Sequence, residues 1–454
     1  MNEIINILHT NDLHSHFENW PKIRRYLNQA HSHYQEKNEE TILVDLGDFM
    51  DRFHPLTDVT DGIANTGLMN QVPYDYATIG NNEGITNSKQ HLNNLYNEAH
   101  FDVILANLLD NDTKDFPKWA KPYDIKITKE KTRIAVIGLT CPINLTYEPF
   151  GWTALDPLET LSRWLPEMKA QADIIIVLSH LGLPDDKKIA EKFSEIDVII
   201  ESHTHHLFET GLMHCNVLLA AAGKFGQHIG EVELTIVEHQ LIAKNAKTVK
   251  VENLPTDIKD QEEIVRYQQL GSQLLKKQLV GSLPEKLEKK TSLMAFTLEA
   301  MKEYSGLEVA LLNTGTILTD LEKGNVTKKE LHDCYPHPMN LIKVQLKGRD
   351  VKRLVYEIER LRDYLQNYQV VGMKFRGKYF GEICYDSLSF CQEKREVKWC
   401  DKEINDDTMY EFVTVDHLSF LPFFPTMEIA GDIQIISPDF LRKVVGKHIT
   451  NKFS

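Results

Sequence analysis

Over its first 250 residues the chain repeats one pattern: a short apolar run followed at once by a cluster of Asp, Asn and His. Residues 4–9 lead into a segment with Asp12, His14 and His16 at alternate positions, and residues 41–44 lead into one with Asp45, Asp48 and Asp51. Residues 174–178 lead into His180, and residues 198–200 into His203, His205 and His206, while Gly80-Asn81-Asn82-Glu83-Gly84 forms a fifth cluster. Short apolar runs without alternation read as strands buried on both faces; residues 103–106, 134–137 and 217–220 are three more. Between the first two runs, Ile23, Tyr26, Leu27, Ala30 and Tyr34 make a helical stripe opened by Pro21. Strands alternating with amphipathic helices predict a mixed α/β sandwich. Ligands in open α/β sheets gather outside the carboxyl ends of the strands, so the five polar clusters can converge in space.

Each cluster alone says little. An isolated Asp-x-His is more often a cap or a surface pair, and Asn81-Asn82 alone reads as a glycine-flanked turn. Together they offer hard carboxylate oxygens, imidazoles and an amide oxygen. That mixture suits divalent first-row metals, and the absence of cysteine from it argues against a structural zinc site. There are enough donors for two ions, which a shared carboxylate could hold about 3.5 Å apart.

Composition narrows the partners. The formal net charge of −15 disfavours a nucleic-acid polymer, whose phosphates would meet a repulsive field. A phosphorylated small molecule would need a local source of positive charge, which bound metal ions supply. No window approaches the roughly 18 to 20 apolar residues of a membrane span. The opening MNEIINILHTNDLH lacks the basic start and cleavage site of a signal peptide. With six cysteines scattered without a Cys-x-x-Cys, the expectation is a cytoplasmic protein with reduced thiols.

Near residue 251 the periodicity gives way to proline and charge in VENLPTDIKD, followed by a polar, helix-prone run. The expected organisation is one α/β domain over residues 1–250, a linker and helix over 251–284, and a second, smaller α/β domain over 285–454. Its helices are expected near 293–304 and 348–364.

The order Asp-x-His, Gly-Asp, Gly-Asn, His, His-x-His resembles the calcineurin-like metallophosphoesterases. The stretch HTNDLHSH is similar to the opening of their bacterial 5′-nucleotidase and UDP-sugar hydrolase branch. Further matches are AAGKFGQHIGEVEL in the first domain, and LLNTGTI and NLIKVQLKGRDV in the second. The resemblance implies a four-layer metallophosphatase-type β-sandwich flanked by helices, joined to a smaller α/β substrate domain. It implies hydrolysis of a phosphoester of a nucleotide or nucleotide derivative by a metal-bridging hydroxide. Two divalent ions (Mn, Zn, Fe, Mg or Co) are implied as cofactors: Asp12, His14, Asp48 and His205 would hold one, and Asp48 would bridge to a second bound by Asn81, His180 and His203. His16 would orient a ligand from behind, and His206 has no counterpart.

The chain also departs from that pattern. Where the family has a catalytic histidine with an aspartate three residues on, this sequence has Asn82 and Ile85. Asparagine donates a hydrogen bond but does not transfer a proton at neutral pH. Loss of the acid favours substrates with good leaving groups, such as a UDP-sugar or a dinucleotide. A non-catalytic metal- and nucleotide-binding protein is the competing expectation. In the second domain Leu318 stands where a phosphate-binding arginine is expected, and Asn313 and Gly315 remain. Phe375 and Phe424, or Phe423 in place of the latter, are candidates to clamp a base. Arg353 or Arg376 would replace the missing cation.

Overall fold

The computed structural model describes residues 2–370 and 377–453. The chain divides into two compact units, 1–271 and 272–454. The boundary falls inside the helix Ile258–Lys276, which lies within the stretch 251–284 read as a linker and helix.

The first unit is built on two sheets. One has seven strands, with Asn2–Thr10 third in order, between the antiparallel His228–Val237 and the parallel Glu40–Asp45; Tyr76–Ala77 and Asp102–Ile104 continue it. The other has six strands, with Ile174–His180 parallel to Arg133–Thr140 on one side and to Val198–Glu201 on the other. Strand pleating sends alternate side chains to opposite faces. Ile5, Ile7, Ile42 and Val44 therefore meet Ile134, Val136, Ile174, Ile176 and Leu178 in one core between the sheets. Leu8 and Leu43 face a second core with Ile23 and Leu27 of the helix Trp20–Glu36. On the far side Ala135, Ile137, Ile175 and Val177 pack with Leu161, Leu165 and Met168 of the helix Pro157–Gln171. Helix, sheet, sheet and helix form the four layers that the family resemblance implied.

The second unit has a five-stranded sheet in the order Ile383–Asp386, Ala310–Asn313, Met409–Val415, Asn340–Lys347, Asp432–Phe440. Val351, Leu354, Val355 and Ile358 of the helix Gly348–Asn367 share a core with Leu293, Phe296 and Met301 of Ser292–Ser305 and with Leu441, Val444 and Val445 of Leu441–Phe453. No helix among the described residues is long and apolar enough to cross a membrane.

Candidate metal centre

The parallel strands Asn2–Thr10, Glu40–Asp45, Ile174–His180 and Val198–Glu201 all deliver their carboxyl ends to one place. The loops leaving them are tied to each other. Asp12 N donates to Gly47 O at 3.1 Å, His14 N to Asp48 O at 2.8 Å, and Phe225 N to Asp12 O at 2.7 Å. Asp12, His14, Asp48, His203 and His205 all have φ between 49° and 74°. Non-glycine residues in that region cost on the order of 1–3 kcal/mol each and persist where surroundings over-determine them. Here the interlocked loops do so. Gly47 has φ 85°, and a Cβ on it would sit 2.2 Å from Gly80 N; a Cβ on Gly80 would sit 2.1 Å from Asp48 Oδ1. Both glycines are required by the close approach of the two loops.

Two groups of donor atoms result, Asp12 with His14 and His205, and Asp12 with Asp48 and His180. Asp12 is common to both, whereas the family pattern puts the bridge on Asp48. Asp48 nonetheless faces both sides: its Oδ2 lies 3.6 Å from His14 Nε2 and 3.5 Å from His180 Nε2. His205 Nε2 lies 3.5 Å from Asp12 Oδ1 and 3.3 Å from His14 Nε2. The His203 ring sits beside that of His180, centroids 5.2 Å apart. The Asn81 side-chain oxygen is buried and unbonded.

These atoms fit metal ions. His180 Nδ1 donates to Leu46 O at 2.7 Å, which leaves the lone pair of a neutral ring on Nε2, buried, unbonded and aimed at a carboxylate. A lone pair facing an anion needs a cation between them. Without a metal, a proton serves: burial opposes charge on His180, but Asp48 and Asp12 outweigh it and raise its pKa to about 10. His14 is raised to about 9 by Asp51, Asp48 and Asp12, again against burial. Burial works against ionised Asp12 and Asp48, yet the histidines outweigh it and hold both carboxyls below their usual range. His203 is the opposite case, lowered to about 4 by burial and by His180, and stays neutral.

Several residues that position the donors stand outside the expected set. Ser202 Oγ and Asn11 Nδ2 donate to Asp12 Oδ2 at 2.6 and 2.8 Å, leaving Oδ1 for the histidines. Asp51 Oδ2 lies 3.5 Å from His14 Nδ1. Buried Glu83 accepts from Asp48 N, Gly80 N and Met50 N at 2.8, 2.9 and 3.1 Å, stapling two loops with one carboxylate. The position of Asp51 in Asp-Leu-Gly-Asp-Phe-Met-Asp was visible in sequence; the reach of Ser202 and Glu83 depends on tertiary contact. His16 does not orient a ligand. It bonds Glu18 at 2.6 Å and packs on Phe225 with centroids 4.0 Å apart. His206 pairs with buried Glu201 at 3.2 Å.

Asn82 is 7 % exposed and turned inward. Its backbone N donates to Asp48 Oδ1 at 2.7 Å, and its Nδ2 donates to Asp48 Oδ2 at 2.8 Å with His14 Nδ1 3.4 Å away. Its amide is engaged with the donor cage and braces Asp48.

In the second unit, Asn313 spends its side chain on the fold, donating to Phe380 O at 2.8 Å and accepting from Thr316 Oγ1 at 2.7 Å. A Cβ on Gly315 would meet Tyr379 O at 2.2 Å, so glycine is needed there for backbone packing. Gly315 and Leu318 line a cavity of about 400 Å³ together with Lys289, Lys290 and Lys378. Arg353 lines a different cavity, with Arg360 and Arg395, and is not the cation at Gly315. Phe424 is 2 % exposed in the core of the unit, so its ring is not free to clamp a base. Its neighbour Phe423 is half-buried and stands against Tyr368 and Tyr364, centroids 5.0 and 6.1 Å away. Phe375 and Arg376 lie outside the described residues.

Comparison with known proteins gives the family. The family model for the calcineurin-like phosphoesterases matches residues 5–207, and that for the 5′-nucleotidase C-terminal domain matches residues 275–420. The uncharacterized metallophosphoesterase YunD of Bacillus subtilis is 36% identical over 460 residues, covering 98% of this chain and 99% of that protein. The NAD nucleotidase of Haemophilus influenzae superposes over 99% of this chain and 96% of its own with a TM-score of 0.68 at 17% identity. A putative 5′-nucleotidase from Staphylococcus aureus gives 99% and 97% coverage, a TM-score of 0.68 and 18% identity. At those identities the two structures speak for the fold alone. Calcineurin-like phosphoesterases use a dinuclear metal centre, and the donor groups around Asp12 and Asp48 are candidates for it. The chain belongs to the calcineurin-like metallophosphoesterases, in the branch that carries a 5′-nucleotidase C-terminal domain, and is a metal-dependent phosphoester hydrolase.

Proposed function

We propose that this hydrolase acts on a nucleotide derivative, with a preference for phosphoanhydrides such as a nucleotide sugar or a dinucleotide. Asp12, His14, Asp48 and His205 would hold one divalent ion, and Asp48, Asn81, His180 and His203 would hold the other. The observation that carries the assignment is Asp48 Oδ2, one oxygen 3.6 Å from His14 Nε2 and 3.5 Å from His180 Nε2. Bound there, the ions would supply Lewis-acid activation of water at neutral pH and charge to neutralise phosphoryl oxygens.

The protein's own groups do the rest. Leu46 O fixes the tautomer of His180, Asp51 faces the outer nitrogen of His14, and Ser202 and Asn11 turn one oxygen of Asp12 away from the cage. Asn82 braces Asp48 and has no proton to give. General acid catalysis is worth roughly 10²- to 10⁴-fold, and its absence weighs most on alkoxide leaving groups. A phosphate leaving group carries its own charge well, which favours the anhydride. In the second unit, Lys289, Lys290 and Lys378 around Gly315 supply the positive charge that Leu318 does not, while Asn313 shapes the loop.

The test is a screen of the metal-reconstituted protein against nucleoside monophosphates, cyclic nucleotides, nucleotide sugars and dinucleotides. Anhydrides should give the highest kcat/KM. A clear preference for nucleoside 5′-monophosphates would overturn the substrate class.

A further inference from the structure

Lys224 is half-buried beside the metal centre, and no carboxylate among the described residues pairs with it. Its ammonium sits over the Phe225 ring, 4.8 Å from the centroid. That same ring packs against the candidate ligands His14 and His205, centroids 5.8 and 6.4 Å away, and against His16 at 4.0 Å. An acidic chain with a net charge of −15 thus keeps an unpaired cation on a ring that also packs against the donor cage.

The loop carrying Lys224 is held in place by the metal loop. Asn11 Nδ2 donates to Gly223 O at 2.7 Å, Phe225 N to Asp12 O at 2.7 Å, and Asn19 Nδ2 to Phe225 O at 2.8 Å. Gly223, Phe225 and Gly226 have φ of 74°, 60° and 60°. A phenylalanine in the left-handed region, flanked by glycines that adopt it freely, is a bend kept in spite of its backbone preference. The bend sets the Phe225 ring against His14 and His205 with the ammonium on its face.

We propose that Lys224 binds a phosphoryl oxygen of the substrate and is a specificity-determining residue of the centre, selecting substrates with more than one negative charge. The proposal rests on the hydrolase reading above and extends it. A lysine ammonium is a point charge with three donors; a dianionic phosphate or the second phosphate of an anhydride meets it better than a singly charged diester. The contact adds to the binding energy of the charged end of the substrate.

The experiment is calorimetric titration of inorganic phosphate into metal-reconstituted wild type, Lys224→Met and Lys224→Arg, with metal content and Tm measured for each. Lys224→Met should weaken phosphate binding about 10-fold or more, the worth of one charge-assisted hydrogen bond, with metal content and Tm unchanged. Lys224→Arg should bind within about 3-fold of wild type, since it keeps the charge. In turnover, Lys224→Met should raise KM for a dianionic substrate and leave that for bis(p-nitrophenyl) phosphate nearly unchanged. Equal phosphate affinity in wild type and Lys224→Met, or no phosphate binding by either, would overturn the proposal. Absence of turnover with phosphate binding intact would count against the hydrolase reading instead.

Discussion

Replacing Gly80 with alanine would put a methyl carbon 2.1 Å from Asp48 Oδ1, 2.6 Å from Asp48 Cγ and 2.4 Å from His180 Cε1. Non-bonded heavy atoms prefer about 3.5–4.0 Å, so the two side chains must together give by at least about 1 Å. Neither is free to move: Asn82 bonds both oxygens of Asp48, and Leu46 O holds His180. The backbone is not the obstacle, because Gly80 has φ −96° and ψ −171°, which alanine adopts readily. A 1 Å misplacement at a catalytic centre costs about 10²-fold in rate, or about 2.7 kcal/mol of transition-state stabilisation. The assay is kcat/KM on a chromogenic phosphodiester, with metal content by inductively coupled plasma mass spectrometry and Tm alongside. Gly67→Ala is the control: it lies in the helix Ile63–Met69, its Cβ would meet nothing within 4 Å, and it should be active and about 0.5–1 kcal/mol more stable. A Gly80→Ala variant with two bound ions and more than half of wild-type kcat/KM would refute the reasoning.

Other expectations follow from neighbouring groups. Glu83→Gln leaves at least one of three backbone N–H groups facing an amide N–H₂, so a loss of about 2–3 kcal/mol in denaturant unfolding is expected, with weaker metal retention. Asn82→His with Ile85→Asp should raise turnover of alkyl phosphate monoesters by about 10²-fold or more, leaving anhydrides within a few-fold; a rise from no activity at all, on every substrate, would instead favour the non-catalytic metal- and nucleotide-binding protein. Buried His9, 1 % exposed, has its pKa lowered by burial from 6.5 to about 3. Because the unfolded chain takes up the proton first, the stability His9 contributes is fully present above pH 6.5 and is lost as pH falls toward 3, amounting to about 4–5 kcal/mol. Acid unfolding of His9→Gln, followed by circular dichroism, should lack that component, and unchanged acid sensitivity would count against it.

The site was legible because its donors follow strands directly: an apolar run that stops at Asp, Asn or His announces both the end of the strand and what waits there. Helix Trp20–Glu36 was equally plain from Pro21 and its apolar stripe. The hairpin His228–Val237 and Gln240–Lys250 was not. Its turn is Glu238-His239, both left-handed at φ 52° and 64°, without the Asn-Gly or Asp-Gly that marks such turns. Tyr76–Ala77 pairs over two residues, too short for any period. The orienting roles of Ser202 and Glu83 arise from contacts between distant loops, 190 and 35 residues apart in sequence from their partners Asp12 and Asp48. Phe423 and Phe424 are adjacent and identical in type, so only packing decides which one is core.

The central claim is that seven side chains hold two ions across Asp48. Its most direct test is the location of bound manganese by anomalous diffraction from crystals of the reconstituted protein, with Asp48→Asn as the comparison. Two peaks are expected in the wild type, one among Asp12, His14, Asp48 and His205 and the other among Asp48, Asn81, His180 and His203, and both should weaken in Asp48→Asn. A single peak, or two peaks untouched by Asp48→Asn, would contradict the account.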